Sequence, residues 1–142
     1  MRPLLFVTAA AFAAAAVQAQ PSYANYHGTW QGPVLFNLWQ ERVGSQDAPA
    51  VHAGTLEIAS DGGVSGQVPG AGCRLAGSAA DFVSAANASL DITFDGCRDT
   101  RFNGRYSGKL ISNPVLNYAS LRMSFTRSLD SGTAQVSAIL RR

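Results

Sequence analysis

From residue 101 to residue 112 the chain changes character at every step. Phe102, Gly104, Tyr106, Gly108 and Leu110 hold the even positions, and Arg101, Asn103, Arg105, Ser107 and Lys109 hold the odd ones. In an extended strand successive side chains point to opposite faces, so this order buries one face and wets the other. A helix, with its period of about 3.6 residues, would scatter the same side chains around its circumference. Similar patterning recurs at 29–38, 51–59, 64–68, 73–79, 89–95, 115–126 and 133–140, which with 101–112 makes eight predicted strands.

Glycine, asparagine, aspartate and proline punctuate these segments. Asp61-Gly62-Gly63 is the strongest hairpin signal, because these residues tolerate the positive φ of tight turns. Residues 40–50 form a connection of unusual length for a hairpin. Short connections dictate antiparallel neighbours, since parallel strands need long crossovers. The chain is therefore predicted to be all-β, an antiparallel up-and-down β-barrel whose closure removes exposed edges. A two-sheet sandwich is the competing architecture. Gly32, Gly66, Gly77, Gly104 and Gly108 fall on apolar faces inside strands, where they permit tight coiling.

The N-terminus has a different character. Arg2 supplies a positive start, residues 4–17 are apolar apart from Thr8, and Val17-Gln18-Ala19 reads as a small-residue cleavage box. This is the pattern of a signal-peptide helix, expected over residues 1–19 and removed to leave a β-barrel domain over 20–142. A spanning helix needs about 20 apolar residues, so the product is not expected to be anchored in a membrane. The alanine-rich leader looks bacterial, which makes the expected location periplasmic or secreted. Loss of Arg2 lowers the formal net charge from +2 to about +1, which gives no case for nucleic acid or an anionic membrane as partner.

Export bears on Cys73 and Cys97, the two cysteines of the chain. An oxidising compartment favours a disulfide between them over two buried thiols. If the strands at 73–79 and 89–95 are antiparallel neighbours, the start of one lies beside the end of the other. Strict alternation puts Cys97 on the face opposite Phe94, so a bulge at Asp95-Gly96 is predicted to restore the facing.

Candidate chemistry is sparse. There is no G-x-S-x-G nucleophile elbow, no H-E-x-x-H, no paired C-x-x-C and no acidic calcium loop, so no catalytic residue, metal or cofactor is expected. His27 and His52 read as exposed or capping histidines. Asp91, Asp95 and Asp99 recur every four positions, a spacing that could gather carboxylates on one face, but solvated turn aspartates are the favoured reading. Arg98, Arg101, Arg105 and Lys109, joined across the next hairpin by Arg122, could bind an acidic partner or a carboxylate. The alternative is an ordinary polar barrel exterior. Among the aromatics, Trp30 is expected to pack one barrel end, and Trp39, beside the long connection, is a candidate for lining a barrel mouth. An outer-membrane barrel would turn its apolar face outward. Short third and fourth strands, glycines on the apolar faces and a C-terminus of Leu140-Arg141-Arg142 argue against it.

Gly28-Thr29-Trp30-Gln31-Gly32 resembles the G-x-W that opens the first strand of lipocalins and related calycin barrels, and the strand count and long first connection are similar to theirs. The chain departs from that family in lacking a later arginine motif and a C-terminal helix. The surroundings of Gly72-Cys73 and Gly96-Cys97 also resemble small envelope proteins of proteobacteria, a likeness that implies no activity. Architecture and resemblance together lead to an expected non-enzymatic binding protein, taking a small apolar ligand in its lumen or an envelope protein on its rim. A structural component of the envelope, or an inhibitor of proteases or lysozymes, is the alternative.

Overall fold

The computed structural model describes residues 26–40, 45–46, 48–81, 87–113, 115–127 and 132–142, with the backbone alone at 45, 46, 81 and 122–127. The expected signal segment lies outside the described residues. Nine strands follow in order: β1 (Gly28–Gln40), β2 (Ser45–Gln46), β3 (Ala50–Ile58), β4 (Gly63–Val68), β5 (Cys73–Asp81), β6 (Asn87–Asp95), β7 (Gly104–Asn113), β8 (Tyr118–Arg127) and β9 (Gly132–Arg141). From β3 to β9 each strand pairs antiparallel with the next, and β1 pairs with both β3 and β9. The ladder therefore closes into an eight-stranded up-and-down barrel, and the sandwich is set aside. The two-residue β2 lies outside the closed ring, paired to the end of β1 through Trp39↔Gln46 and Gln40↔Ser45.

Two strand starts differ from expectation, each for a local reason. Residues 101–103 are not strand, because Thr100–Phe102 forms a 3-10 turn. Asp99 caps it, its Oδ1 accepting from the Arg101 N–H at 3.1 Å. The strand expected from 115 begins at Tyr118. Asn113 Oδ1 accepts from the Leu116 N–H at 3.2 Å, and Asn117 takes a left-handed φ of 52°.

Alternation carries the apolar set inward. Trp30, Phe36, Leu56, Ile92, Phe94, Tyr106, Leu110, Val136 and Leu140 are all buried in one core. Phe94 meets Tyr106 edge-on at 5.0 Å between ring centres, and Phe36 meets Phe102 at 5.1 Å. The buried Tyr106 hydroxyl donates to the Phe102 carbonyl at 2.9 Å. A void of about 10 Å³ lies in the lumen, between Val34, Leu56, Phe94 and Val136, room for one water molecule at most. Apolar side chains thus face the lumen, the reverse of an outer-membrane barrel. Among the described residues no helix is long and apolar enough to cross a membrane.

Strand spacing depends on what the inward side lacks. A Cβ added to Gly77 would lie 2.0 Å from the Asp91 carbonyl oxygen of the neighbouring strand, so β5 and β6 approach only because this residue has no side chain. Pro33 leaves a gap in the β1–β9 ladder between Gln31↔Arg141 and Val34↔Ala138, since it has no N–H to donate.

The barrel has two different ends. At one, Trp30 is fully buried, its indole N–H donates to the Tyr26 carbonyl at 2.8 Å, and the Arg142 guanidinium covers its ring at 4.3 Å. At the other, Cys73 and Cys97 form the disulfide. The β5–β6 ladder ends at Arg74↔Asp95, and Gly96 then takes a left-handed φ of 67°. That added residue turns Cys97, rather than Gly96, toward Cys73. The facing mismatch seen in the sequence is relieved just past the last ladder pair, and not by a bulge within the strand. Cys97 N–H donates to Asn103 Oδ1 at 3.0 Å, and Arg98 N–H to the Ala71 carbonyl at 2.8 Å, tying the segment to both neighbouring turns.

Candidate functional site

The basic cluster read from the sequence is broken up by the fold. Arg105 reaches diagonally across β6–β7 to Asp91, its Nε donating to Oδ1 at 2.6 Å and its Nη2 to Oδ2. Arg101 binds Asp99 through both nitrogens, at 2.9 and 2.7 Å. Arg74 sits beside its ladder partner Asp95 at 3.4 Å. Each member of the Asp91, Asp95, Asp99 series therefore has an arginine, and the charges cancel locally. Exposed pairs of this kind contribute little to stability. Their chemical effect is to make the outer face of β5–β7 neither an open anion site nor a pair of free carboxylates.

The hydrogen bond from Arg105 holds the Asp91 carboxyl below the ordinary carboxylate range. A depressed folded-state value means a contribution that is present above the unfolded pKa and lost as pH falls through the folded one. In an NMR pH titration, the Asp91 midpoint is expected to rise toward the ordinary value in Arg105→Gln. An unchanged midpoint would show that the pair does not form in solution.

The other expected positions are dispersed. Arg98 is exposed at the disulfide end, without an ion-pair partner among the described residues. Arg122 stands opposite Lys109 and Ser137 in the ladders; its side chain lies outside the described residues. Trp39, expected at a barrel mouth, turns outward near the end of β1, 42% exposed beside a shallow recess with Asn37, Thr133 and Gln135. His27 packs on Tyr26 and His52 on Phe36, at different levels of the β1–β3 pair, and neither has a carboxylate partner among the described residues. Among those residues no three His, Cys, Asp or Glu side chains gather to hold a metal ion.

Two surfaces emerge instead. The first is an aliphatic belt on the outside of the barrel. Pro33, Leu35, Val51, Ile111 and Ile139 line one groove of about 650 Å³ running across β7, β8, β9, β1 and β3. Register explains it: Ile111, Ser120 and Ile139 are successive cross-strand partners, and Leu35 is the partner of Val51. Val51, Ile111 and Ile139 remain 57%, 55% and 58% exposed, so the belt is uncovered in the single chain. Its signal in the sequence is a set of aliphatics on the parity otherwise held by polar residues.

The second surface is a cavity of about 150 Å³ at the disulfide end, walled by Phe36, Phe102 and the Cys73–Cys97 bond, with His52, Arg98 and Asp99 among its lining. Neither of these surfaces contains an activated nucleophile. Comparison with protein-family models and with curated proteins finds no match to this chain.

Proposed function

We propose that the chain is an exported, non-enzymatic β-barrel that binds a protein of the cell envelope on its outer face and carries no guest in its lumen. The filled lumen is the observation that favours the outside: about 10 Å³ accommodates no ligand. The belt favours a protein as occupant. Neighbouring exposed aliphatics are a feature of interaction surfaces, and an open groove over five strands suits a macromolecule better than a small molecule. Arg141 follows Ile139 on the same face of β9, so the matching surface is an aliphatic patch with a carboxylate at its border. Export rests on the leader pattern of residues 1–19, with which the disulfide is compatible. The closed eight-stranded up-and-down ladder, with Trp30 of the Gly28-Thr29-Trp30 stretch seated in one end, is compatible with a calycin-like reading of the architecture. It carries no activity with it.

The test is chemical crosslinking in the host's envelope fraction, comparing wild type with the double variant Ile111→Lys, Ile139→Glu. Both side chains are exposed, so the variant is expected to fold with an unchanged unfolding midpoint. One partner captured by wild type should be lost by the variant and kept by Arg98→Gln. Equal capture by both belt variant and wild type would overturn the proposal. Self-association of the purified wild type, abolished by the belt variant, would point instead to a structural component built from copies of this chain.

A further inference from the structure

The cavity at the disulfide end has a chemistry of its own, and from it we infer a second binding site, one that takes a small aromatic carboxylate. Its volume, about 150 Å³, is that of a buried site able to hold a single benzene ring. Its walls suit such a ring. Phe36 and Phe102 stand edge-to-face at 5.1 Å, and His52 lies edge-on to Phe36 at 6.1 Å. A fourth ring can join this array by offset or edge contact. The disulfide supplies a further apolar wall.

The rim selects the charge. Arg98 lines the cavity and is exposed, with no carboxylate of its own among the described residues. Its planar guanidinium can bind a carboxylate through two parallel hydrogen bonds. Asp99, the one acidic residue among the described lining residues, does not oppose this, because its carboxylate is held by Arg101 at 2.7 Å and caps the 3-10 turn. The arginine beside it on the turn thus neutralises the local negative charge and leaves Arg98 to act outward. The backbone of Arg98 is anchored by its N–H bond to the Ala71 carbonyl, which does not engage the side chain. Gly70 completes the site: a Cβ there would lie 2.6 Å from His52 Nδ1, so the bare backbone lets the imidazole approach the turn closely.

The site is separate from the outer belt, and either can fail alone. The experiment is an NMR titration of the oxidised protein with benzoate and with benzamide, its uncharged isostere. Benzoate is expected to shift Phe36, His52 and Phe102 saturably. Benzamide should bind about tenfold more weakly, the loss expected for one charge-assisted hydrogen-bonded pair. Arg98→Gln should bring benzoate down to the level of benzamide while leaving the spectrum of the core unchanged. Absence of saturable shifts, saturable shifts confined to the belt or another face, or equal binding of the two probes would each overturn the inference.

Discussion

Replacing Cys73 and Cys97 together by alanine is expected to lower the unfolding midpoint by about 10 °C, from a loss of ~3 kcal/mol. The bond joins positions separated by 24 residues, the span that holds β5, β6 and the connection between them. Without it the unfolded chain regains the freedom of that loop. Both sulfurs are buried, so alanine is a gentler replacement than serine, which would add an unpaired hydroxyl. The folded state should survive, because the β5–β6 ladder and the bonds from Cys97 and Arg98 backbone N–H groups do not depend on the sulfur bridge. Differential scanning calorimetry with and without reductant checks this. A shift below about 3 °C would show that the disulfide constrains little of the unfolded ensemble.

Trp30→Ala is expected to cost more, about 4 kcal/mol. The side chain is entirely buried, plugs one end of the barrel, and satisfies the Tyr26 carbonyl through its indole N–H at 2.8 Å. Its removal leaves both a cavity and a buried carbonyl without its partner. Two companions separate these contributions. Trp30→Phe keeps most of the apolar volume and loses the hydrogen bond, for about 1–2 kcal/mol. Arg142→Gln removes the guanidinium over the ring from an exposed position, for less than about 1 kcal/mol. Urea denaturation at constant m-value should rank them in that order. A near-silent Trp30→Ala would contradict the packing of this end.

Much of the barrel was legible from residues 29 to 140 because a period of two combined with turn chemistry leaves few alternatives. The eight strands of the ring each overlap the segment where alternation put them, with two starts shifted, and their order follows from short connections. The misplaced starts at 101 and 115 both reflect side-chain capping, by Asp99 and Asn113, which competes locally with strand pairing and leaves the hydrophobic pattern unaltered. The ion pairs within the basic cluster were hidden for a different reason. Whether Arg105 faces Asp91 or an empty groove depends on cross-strand register, and parity along one strand carries no register. Trp39 was readable by parity alone, since Leu38 points inward; its nearness to the long connection suggested otherwise. The outer belt was present as exceptions, Leu35, Val51, Ile111 and Ile139 on polar parity, but only the closed ladder shows that these exceptions are neighbours.

Native mass spectrometry of the protein taken from its host's envelope fraction, without reductant, bears most directly on an exported barrel with a filled lumen. The expected species has the mass of residues 20–142 less two hydrogens and carries no guest larger than the disulfide-end cavity can hold. A chain that retains residues 1–19, a mass two hydrogens higher, or a stoichiometric acyl-chain guest would contradict it.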